Sequence, residues 1–181
     1  QRKARSENGG ELTDEQKIFH PATLKFNNEN YRIKLRTKGT RSIHWKKKDE
    51  TSYKIDIRGQ KRIWGMEEFS LQKPVTRNYT YEYLFHKLLG HVGLLKIQYF
   101  FINLYLNDQN LGVYAVEESF SKELVERQGK RNGPIFSLKD ELGAYFPNVK
   151  YELYSDSFWL SSYPKLIKNL FSILNNLKNE N

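Results

Sequence analysis

Cysteine is absent from the 181-residue sequence, and its absence excludes both a disulfide framework and a thiolate metal site. No run of about eighteen apolar residues occurs, so the sequence predicts no membrane-spanning helix. The first residue is Gln1 rather than methionine, and no signal-peptide pattern follows it. We therefore expect the chain to be a piece of a longer polypeptide.

The usual sequence signatures of phosphate and metal sites are missing too. Neither the P-loop pattern nor GxGxxG is present. The histidines lack metal-ligand spacing: they are His20, His44, His86 and His91. The sequence therefore predicts no metal site, and any nucleotide site must be built by other residues.

Apolar residues and positive charge are abundant instead. Hydrophobic residues make up 38% of the chain, which is enough to bury a core and excludes a disordered tail. The net charge is +9, and residues 32–62 hold twelve Lys or Arg against three acids. A positive field confined to one region suits an anionic partner such as phosphates, a nucleic acid, an acidic polymer or an anionic membrane. The alternative is a solvated basic surface.

The pattern of the chain predicts an α+β fold: a mostly antiparallel sheet with one packed helix, as in the small lobe of a protein kinase, followed by helices of an incomplete second lobe. Residues 1–19 read as a flexible leader, 20–118 as the small lobe and 119–181 as the start of a second lobe. Alternating or β-rich runs predict strands at 22–26, 31–36, 52–57, 66–72, 96–106, 111–116 and, as the last strand, 133–138. Helical spacing predicts helices at 76–93, 118–128 and 164–178.

The first of these helices contains apolar residues at a helical period. They are Tyr81, Leu84, Phe85, Leu88, Leu89 and Val92. Thr76 or Asn78 is available as its N-cap, and Gly90 or Gly93 stands near its end.

Cations on the outward faces of neighbouring strands form a candidate phosphate site. Lys34, Arg36 and Lys54 alternate with inward apolar residues and could converge on one anion. Lys38 and Arg41 flank Gly39 in a turn whose backbone N–H groups could also meet phosphate. The alternative is that these are exposed strand cations that discourage edge pairing.

Three acids are candidates for the same site. Glu82 lies on the predicted helix, where it could orient a phosphate-binding lysine, or be a surface residue beside Arg77 or His86. Glu117 and Glu118 end the strand VYAVEE, and adjacent strand residues point to opposite faces, which disfavours a joint acid–base role. Read as a hinge, the segment 115–118, with Val116 at its centre, offers backbone groups at an edge to an adenine.

Three segments carry a family resemblance: SIHWKKKDETSYKIDI, GMEEFSLQKPVTRNYTYEYLFHKLLGHVG and FINLYLNDQNLGVYAVEESFSKELVERQGKRNGPIF. In this order they resemble the spore-coat CotH kinase-like family over roughly residues 20 to 140. The resemblance implies an atypical kinase that uses Mg·ATP to phosphorylate Ser or Thr of a protein substrate, in a spore coat, on a cell envelope or as an exported protein. It implies that SYKIDI bears the phosphate-binding Lys54, with Glu82 as its partner, and that LGVYAVEE leads into the hinge.

Two features depart from the family pattern. Asp56 stands at a position that is usually basic, so Lys54 serves alone or Lys34 or Arg36 takes its role. The acids after Glu118 stand in no recognisable metal motif: they are Asp140, Glu141, Glu152 and Asp156. Catalytic aspartates are therefore not evident in this chain.

Two function classes remain open. One is the ATP-binding part of a phosphotransferase. The other is a non-catalytic binding module for an anionic polymer or an envelope or coat partner. Nucleic acid is the least favoured of the anionic partners, because Tyr31 and Tyr53, which could stack on bases, fall on the inward side of their strands.

Overall fold

The computed structural model describes residues 17–39, 44, 51–131, 133–139, 150–154 and 156–179. The chain divides into two compact units between Lys130 and Arg131. The lobe boundary expected from the sequence between residues 118 and 119 stays a prediction. Residues 1–16 of the predicted leader, together with Arg41, Asp140 and Glu141, lie outside the described residues.

The first unit is built around one antiparallel sheet of six strands, which confirms the predicted α+β class. Its strand order is β1-β2-β3-β4-β6-β5. The strands are β1 (His20–Phe26), β2 (Glu29–Thr37), β3 (Tyr53–Ile57), β4 (Glu68–Gln72), β5 (Tyr99–Leu106) and β6 (Gln109–Glu118). Its helices are a 3-10 turn (Pro74–Arg77), α1 (Tyr81–His91) and α2 (Lys122–Arg127).

Alternation along the strands places the core on one face of this sheet. Ile33, Ile55 and Phe69 are at most 5% exposed and belong to one buried cluster with Tyr114 and Val116. Since alternate strand residues point to opposite faces, their neighbours in sequence project from the other side. The predicted inward positions of β2 and β3 are confirmed, and the second face is left to polar side chains.

The two hairpins, β1-β2 and β5-β6, turn at an Asn-Asn and an Asn-Asp pair. Asn27 and Asn28 have φ angles of 49° and 62°, and Asn107 and Asp108 have 49° and 63°. Two consecutive positive φ angles are typical of the type I′ turn, whose twist matches that of the flanking strands, and Asn tolerates this conformation. Local sequence is therefore sufficient to specify both hairpins.

The predicted helix 76–93 is divided in the structure. Asn78 has φ 49°, which interrupts the helical path, so a 3-10 turn precedes it and α1 begins after Thr80. Neither Thr76 nor Asn78 is the N-cap of α1, and the Thr80 side chain makes no capping hydrogen bond. The predicted end is confirmed, because α1 stops at His91 and Gly93 follows at φ 74°.

The apolar stripe of α1 does not face the sheet. Leu84, Phe85 and Leu88 are 52–59% exposed, and Tyr81 and Val92 are exposed as well. The helix instead lays Tyr83 against Phe101 and His86 against Tyr99, with ring centroids 6.0 and 6.2 Å apart. The helical spacing of apolar residues predicted the helix correctly, but it did not identify which side of the helix packs against the sheet.

The second unit contains a two-stranded antiparallel sheet and two helices. They are β7 (Phe136–Lys139), β8 (Lys150–Leu153), α3 (Asp156–Ser162) and α4 (Pro164–Asn179). The expectation that 133–138 holds the last strand is wrong, because β8 pairs with it. The predicted amphipathic helix is confirmed as α4, and its Phe171 packs edge-on against Phe136 with ring centroids 5.1 Å apart. None of the described helices is both long and apolar enough to cross a membrane.

Candidate functional site

The strand register gathers charged residues into one row on the polar face of the sheet. Arg36 pairs with Lys54, Lys54 with Ser70, Ser70 with Glu117 and Glu117 with Tyr99. Directly opposed residues of an antiparallel pair share a face and lie about 5 Å apart. The row thus brings together residues far apart in sequence, and Lys38 and Gln72 reach it from the strand ends.

Lys38 is held at the end of β2 by backbone geometry. Its N–H donates to Ser52 O (2.8 Å), and Gly39 follows at φ 85°, where a Cβ would collide with the His44 ring. Only glycine adopts this conformation at little cost, so the chain turns at Gly39. The Lys38 side chain then lies above the row of residues on the polar face. Its ammonium lies 2.6 Å from Glu117 Oε1.

Glu117 is the centre of a partly buried polar network. Besides Lys38, its carboxylate accepts a hydrogen bond from Gln72 Nε2, and Arg77 Nε lies 3.8 Å from Oε2. The Tyr99 hydroxyl and Gln72 Oε1 are both buried without a well-formed hydrogen bond to a described residue, although Gln72 is near enough to lower the pKa of Tyr99 against the effect of burial. Unpartnered buried polar atoms are uncommon, and they often mark a functional position or an unseen ligand.

The network shifts the protonation equilibria of its members. Burial alone would raise the pKa of Glu117, but Lys38, Arg77 and Gln72 together hold it below its ordinary value of 4.5. Burial lowers the pKa of Lys38 below its ordinary 10.5, against the opposing effect of Glu117. Burial also raises the pKa of Tyr99 to about 12, so its phenol remains a hydrogen-bond donor at neutral pH.

Lys54 occupies the adjoining part of the polar face. Its ammonium lies 2.5 Å from Glu68 Oε1 and 2.5 Å from Ser119 Oγ, and its side chain is 16% exposed. Burial is the larger cause of the lowered pKa of Lys38, and the positive charge of Lys54 lowers it as well. Two lysines and Arg77 therefore converge around two carboxylates, which leaves an excess of positive charge.

The predicted pairing of Lys54 with Glu82 is not formed in the structure. Glu82 Oε1 contacts His86 Nε2 at 3.2 Å, one turn along α1, while Lys54 pairs with Glu68. The reason is positional: α1 packs over β5, and β4 and β6 lie between β5 and the strand that carries Lys54.

The other two predicted cations lie toward the outer strands. Arg36 stands next to Lys54 in the register, but its guanidinium lies over the Phe19 ring, 5.1 Å from the centroid. Lys34 is exposed and lines a shallow groove beside β1. The structure therefore brings Lys38, Lys54 and Glu117 together and leaves Lys34 apart.

The predicted hinge segment is inside the sheet rather than at an edge. Val116 pairs with Leu71 on one side and with Phe100 on the other, and its side chain is fully buried. The N–H of Glu118 donates to Gln98 O at 3.0 Å. Since β6 lies between β4 and β5, its backbone groups are used in the ladder, and the expectation that they are offered at an edge is corrected.

Glu117 and Glu118 have different roles because they face opposite sides of β6. Glu118 is buried, where both of its oxygens accept from Arg127 Nη2 at 2.6 and 2.5 Å and Oε2 accepts from Gln98 N at 2.7 Å. This carboxylate ties α2 to the sheet. Glu117 projects from the other face and belongs to the row that contains Lys54. The two acids at the end of β6 therefore have separate partners.

The cations of the polar face fit phosphate, whereas the described acids do not fit a metal ion. Lys38, Lys54 and Arg77 supply several donors for an anion. Within the described ranges no group of three His, Asp or Glu could hold a metal, and Glu68 and Glu117 are each bonded to a lysine. Glu152 is described and exposed, while the Asp156 side chain is not described.

Several residues of this network were not identified from the sequence. Gln72 had a visible signal, since it follows Glu68 and Ser70 at the alternate polar positions of the strand EFSLQ. Arg77 and Ser119 had none, because each reaches the row through a turn whose path depends on the tertiary fold.

Comparison with protein families gives one match that covers most of the chain. A family model described as CotH kinase protein matches residues 35–169. Comparison with curated proteins gives no match.

Proposed function

Because the chain belongs to the CotH kinase protein family, we propose that the polar face of its six-stranded sheet binds the phosphates of Mg·ATP. In the complete protein this nucleotide would be the phosphoryl donor to Ser or Thr hydroxyls of a protein substrate. Lys38 and Lys54 are the proposed phosphate contacts, and Glu117 is the residue that positions Lys38.

The observation that supports this proposal is the partly buried pair of Lys38 and Glu117 beside Lys54. Kinases hold a phosphate-binding lysine in place with a glutamate, and the two must be paired for activity. Here Lys38 Nζ lies 2.6 Å from Glu117 Oε1, and Gln72 and Arg77 contact the carboxylate from its other side. The glutamate comes from a strand of the sheet and not from Glu82 of the helix.

When bound, ATP supplies the transferable phosphoryl group. The residues of the chain contribute positive charge at fixed positions, which stabilises phosphate oxygens without reorganisation of the site. Lys54 is placed to donate to a phosphate on exchanging its contact with Glu68, whose side chain is 42% exposed and therefore weakly held. The carboxylates that would hold Mg²⁺ are not supplied by the described acids, and we assign no step to them.

The proposal is tested by titrating Mg·ATP into the protein and measuring heat. Lys54→Ala and Lys38→Ala should each weaken binding by about tenfold, since each removes one charge-assisted contact. Lys61→Ala is the matched control: it removes the same charge from an exposed lysine that pairs with Glu29 elsewhere on the sheet. Mg·ATP binding that is equal in all four proteins would refute the proposal.

A second candidate function is supported by the groove beside β1. Arg32, Lys34 and Arg58 line it, and the charged groups of all three are open to solvent. Such a row suits an acidic polymer or an acidic envelope partner, as a binding module would. Retention on heparin that falls steeply with salt and is lost in Arg32→Ala/Lys34→Ala, while Mg·ATP binding is absent, would favour this function over the first.

A further inference from the structure

A cleft of about 400 Å³ lies between α1, the start of β5 and α2. Its volume falls in the range of small-molecule sites. Three cationic and three apolar residues are among those that line it: Lys87, Lys96, Arg127, Tyr83, Ile97 and Phe100. All of them belong to the first unit.

The cations of the cleft are only partly neutralised. Arg127 uses Nη2 for Glu118, which leaves Nη1 and Nε without a contact within the described part of the chain. Lys87 and Lys96 form no ion pair with any described residue, and Lys87 Nζ lies over the Tyr83 ring at 5.3 Å. Glu118 neutralises Arg127 and Glu82 contacts His86, which leaves Lys87 and Lys96 as a surplus of positive charge that suits a phosphate.

Two residues that line the cleft each have one buried polar atom without a partner among the described residues. His86 and Tyr99 both line it, and they are 9% and 6% exposed. His86 Nδ1 and the Tyr99 hydroxyl are buried without a hydrogen-bond partner among the described residues. Such atoms are costly to leave unpaired, so a ligand that reaches them gains hydrogen bonds that the empty protein does not make.

Gly90 has no side chain, and the Lys96 side chain occupies the space beside it on α1. A Cβ at position 90 would lie 2.5 Å from Lys96 Nζ and 2.7 Å from its Cδ. Gln128 holds the Lys96 backbone from the other side, since it accepts from Lys96 N (3.0 Å) and donates to Lys96 O (2.7 Å). Both the backbone and the ammonium of Lys96 are therefore positioned by their surroundings.

We propose that this cleft is a second ligand site, which binds a small aromatic phosphate monoester. Lys87, Lys96 and the unused donors of Arg127 would hold the phosphate, whose two negative charges match the surplus. Tyr83, Ile97 and Phe100 would cover the aromatic body. Its proposed phosphate contacts are different residues from the proposed nucleotide contacts, although Tyr99, which lines the cleft, lies opposite Glu117 in the sheet.

The test titrates phenyl phosphate into the 181-residue chain and measures heat. Lys87→Ala/Lys96→Ala should weaken binding by about tenfold or more, since two charge-assisted contacts are lost. The matched control Lys25→Ala/Lys61→Ala removes two exposed lysines at the other edge of the sheet and should leave binding unchanged. Inorganic phosphate and phenol should each bind more weakly than phenyl phosphate, because inorganic phosphate lacks the aromatic ring and phenol lacks the phosphate group.

A second variant separates loss of binding from loss of folding. Gly90→Ala keeps every charge and favours the helix, but its methyl group displaces Lys96. We expect it to weaken phenyl phosphate binding while the midpoint of urea unfolding does not fall.

Three results would overturn the proposal: no saturable binding, equal binding by Lys87→Ala/Lys96→Ala, or inorganic phosphate binding as tightly as phenyl phosphate. The proposed nucleotide site is distinguished by Lys54→Ala, which should leave phenyl phosphate binding intact. Loss of phenyl phosphate binding in Lys54→Ala, with displacement by Mg·ATP, would place the ligand at the nucleotide contacts instead.

Discussion

Glu117 is the residue on which the polar network depends, because it bonds Lys38 and Gln72 directly and lies near Arg77. Removing its charge leaves the partly buried Lys38 ammonium without a counter-ion. Such a loss is more costly than the pair itself is stabilising, since the remaining charge stays desolvated.

We predict that Glu117→Gln lowers the free energy of unfolding at neutral pH by about 2 kcal/mol. The pKa of Glu117 lies below its ordinary 4.5 in the folded protein, so its stabilising contribution is complete above pH 4.5 and is lost as pH falls through the folded value. Urea unfolding measured from pH 7 downward should therefore show a difference between wild type and variant that shrinks below pH 4.5. Glu126→Gln, which removes an exposed carboxylate paired with Lys122, should show no such pH dependence.

Tyr99 allows a second residue-scale prediction, at alkaline pH. Because burial raises its pKa to about 12 from the ordinary 10.0, the unfolded chain ionises first and stability is lost as pH rises from 10 to 12. Tyr99→Phe should unfold at the same urea concentration as wild type at neutral pH, since the hydroxyl has no described partner. It should then be the more stable protein above pH 10, and equal alkaline losses in both would contradict the prediction.

At the scale of elements, α2 is attached to the sheet by polar contacts as well as by its buried Leu124 and Val125. Arg127 bonds Glu118, and Gln128 bonds the backbone of Lys96. Ser121 caps the first turn by accepting from Leu124 N at 3.2 Å. A helix of six residues is too short to be stable alone, so these contacts determine whether it forms.

We predict that Arg127→Ala costs about 3 kcal/mol of unfolding free energy, because it leaves the buried Glu118 carboxylate unpaired. Lys122→Ala on the same helix removes an exposed pair with Glu126 and should change stability little. Chemical denaturation of both variants measures the difference. Equal, small effects would show that Glu118 gains another partner when Arg127 is removed.

We expect the exposed apolar stripe of α1 to contribute little to the free energy of unfolding. Leu88 is 59% exposed, so Leu88→Gln should change the free energy of unfolding by no more than about 0.5 kcal/mol. Phe69→Ala truncates a large side chain in the buried core and should lower the free energy of unfolding by about 3–5 kcal/mol. A large loss in Leu88→Gln would show that this stripe is covered in solution.

At the scale of the whole molecule, the first unit has its own core. The buried cluster that includes Ile55, Phe69 and Tyr114 draws all its members from this unit. We predict that residues 17–130 produced alone unfold cooperatively in urea, as a domain with its own core does. A gradual, non-cooperative loss of circular dichroism, with retained cooperativity in the full chain, would show that this core depends on residues after 130.

The sequence by itself determined the features that depend on local chemistry. An Asn-Asn and an Asn-Asp pair specify the two hairpin turns, period-two alternation separates core from polar face, and the period of 164–178 specifies α4. The family relation is also carried by the sequence, since the match spans residues 35–169. Lys54 and Glu117 were recognisable as candidates from their positions on strands, and Lys38 from its position beside Gly39 in a turn.

Only the tertiary structure decided which of these candidates meet. The strand order places β6 beside β4, so Lys38 pairs with Glu117, while Glu82 on the helix over β5 pairs with His86. The same order puts Val116 inside the sheet, and the packing of α1 turns its apolar stripe outward. Non-local pairing is set by the free energy of the whole sheet and core, which no single stretch of sequence contains.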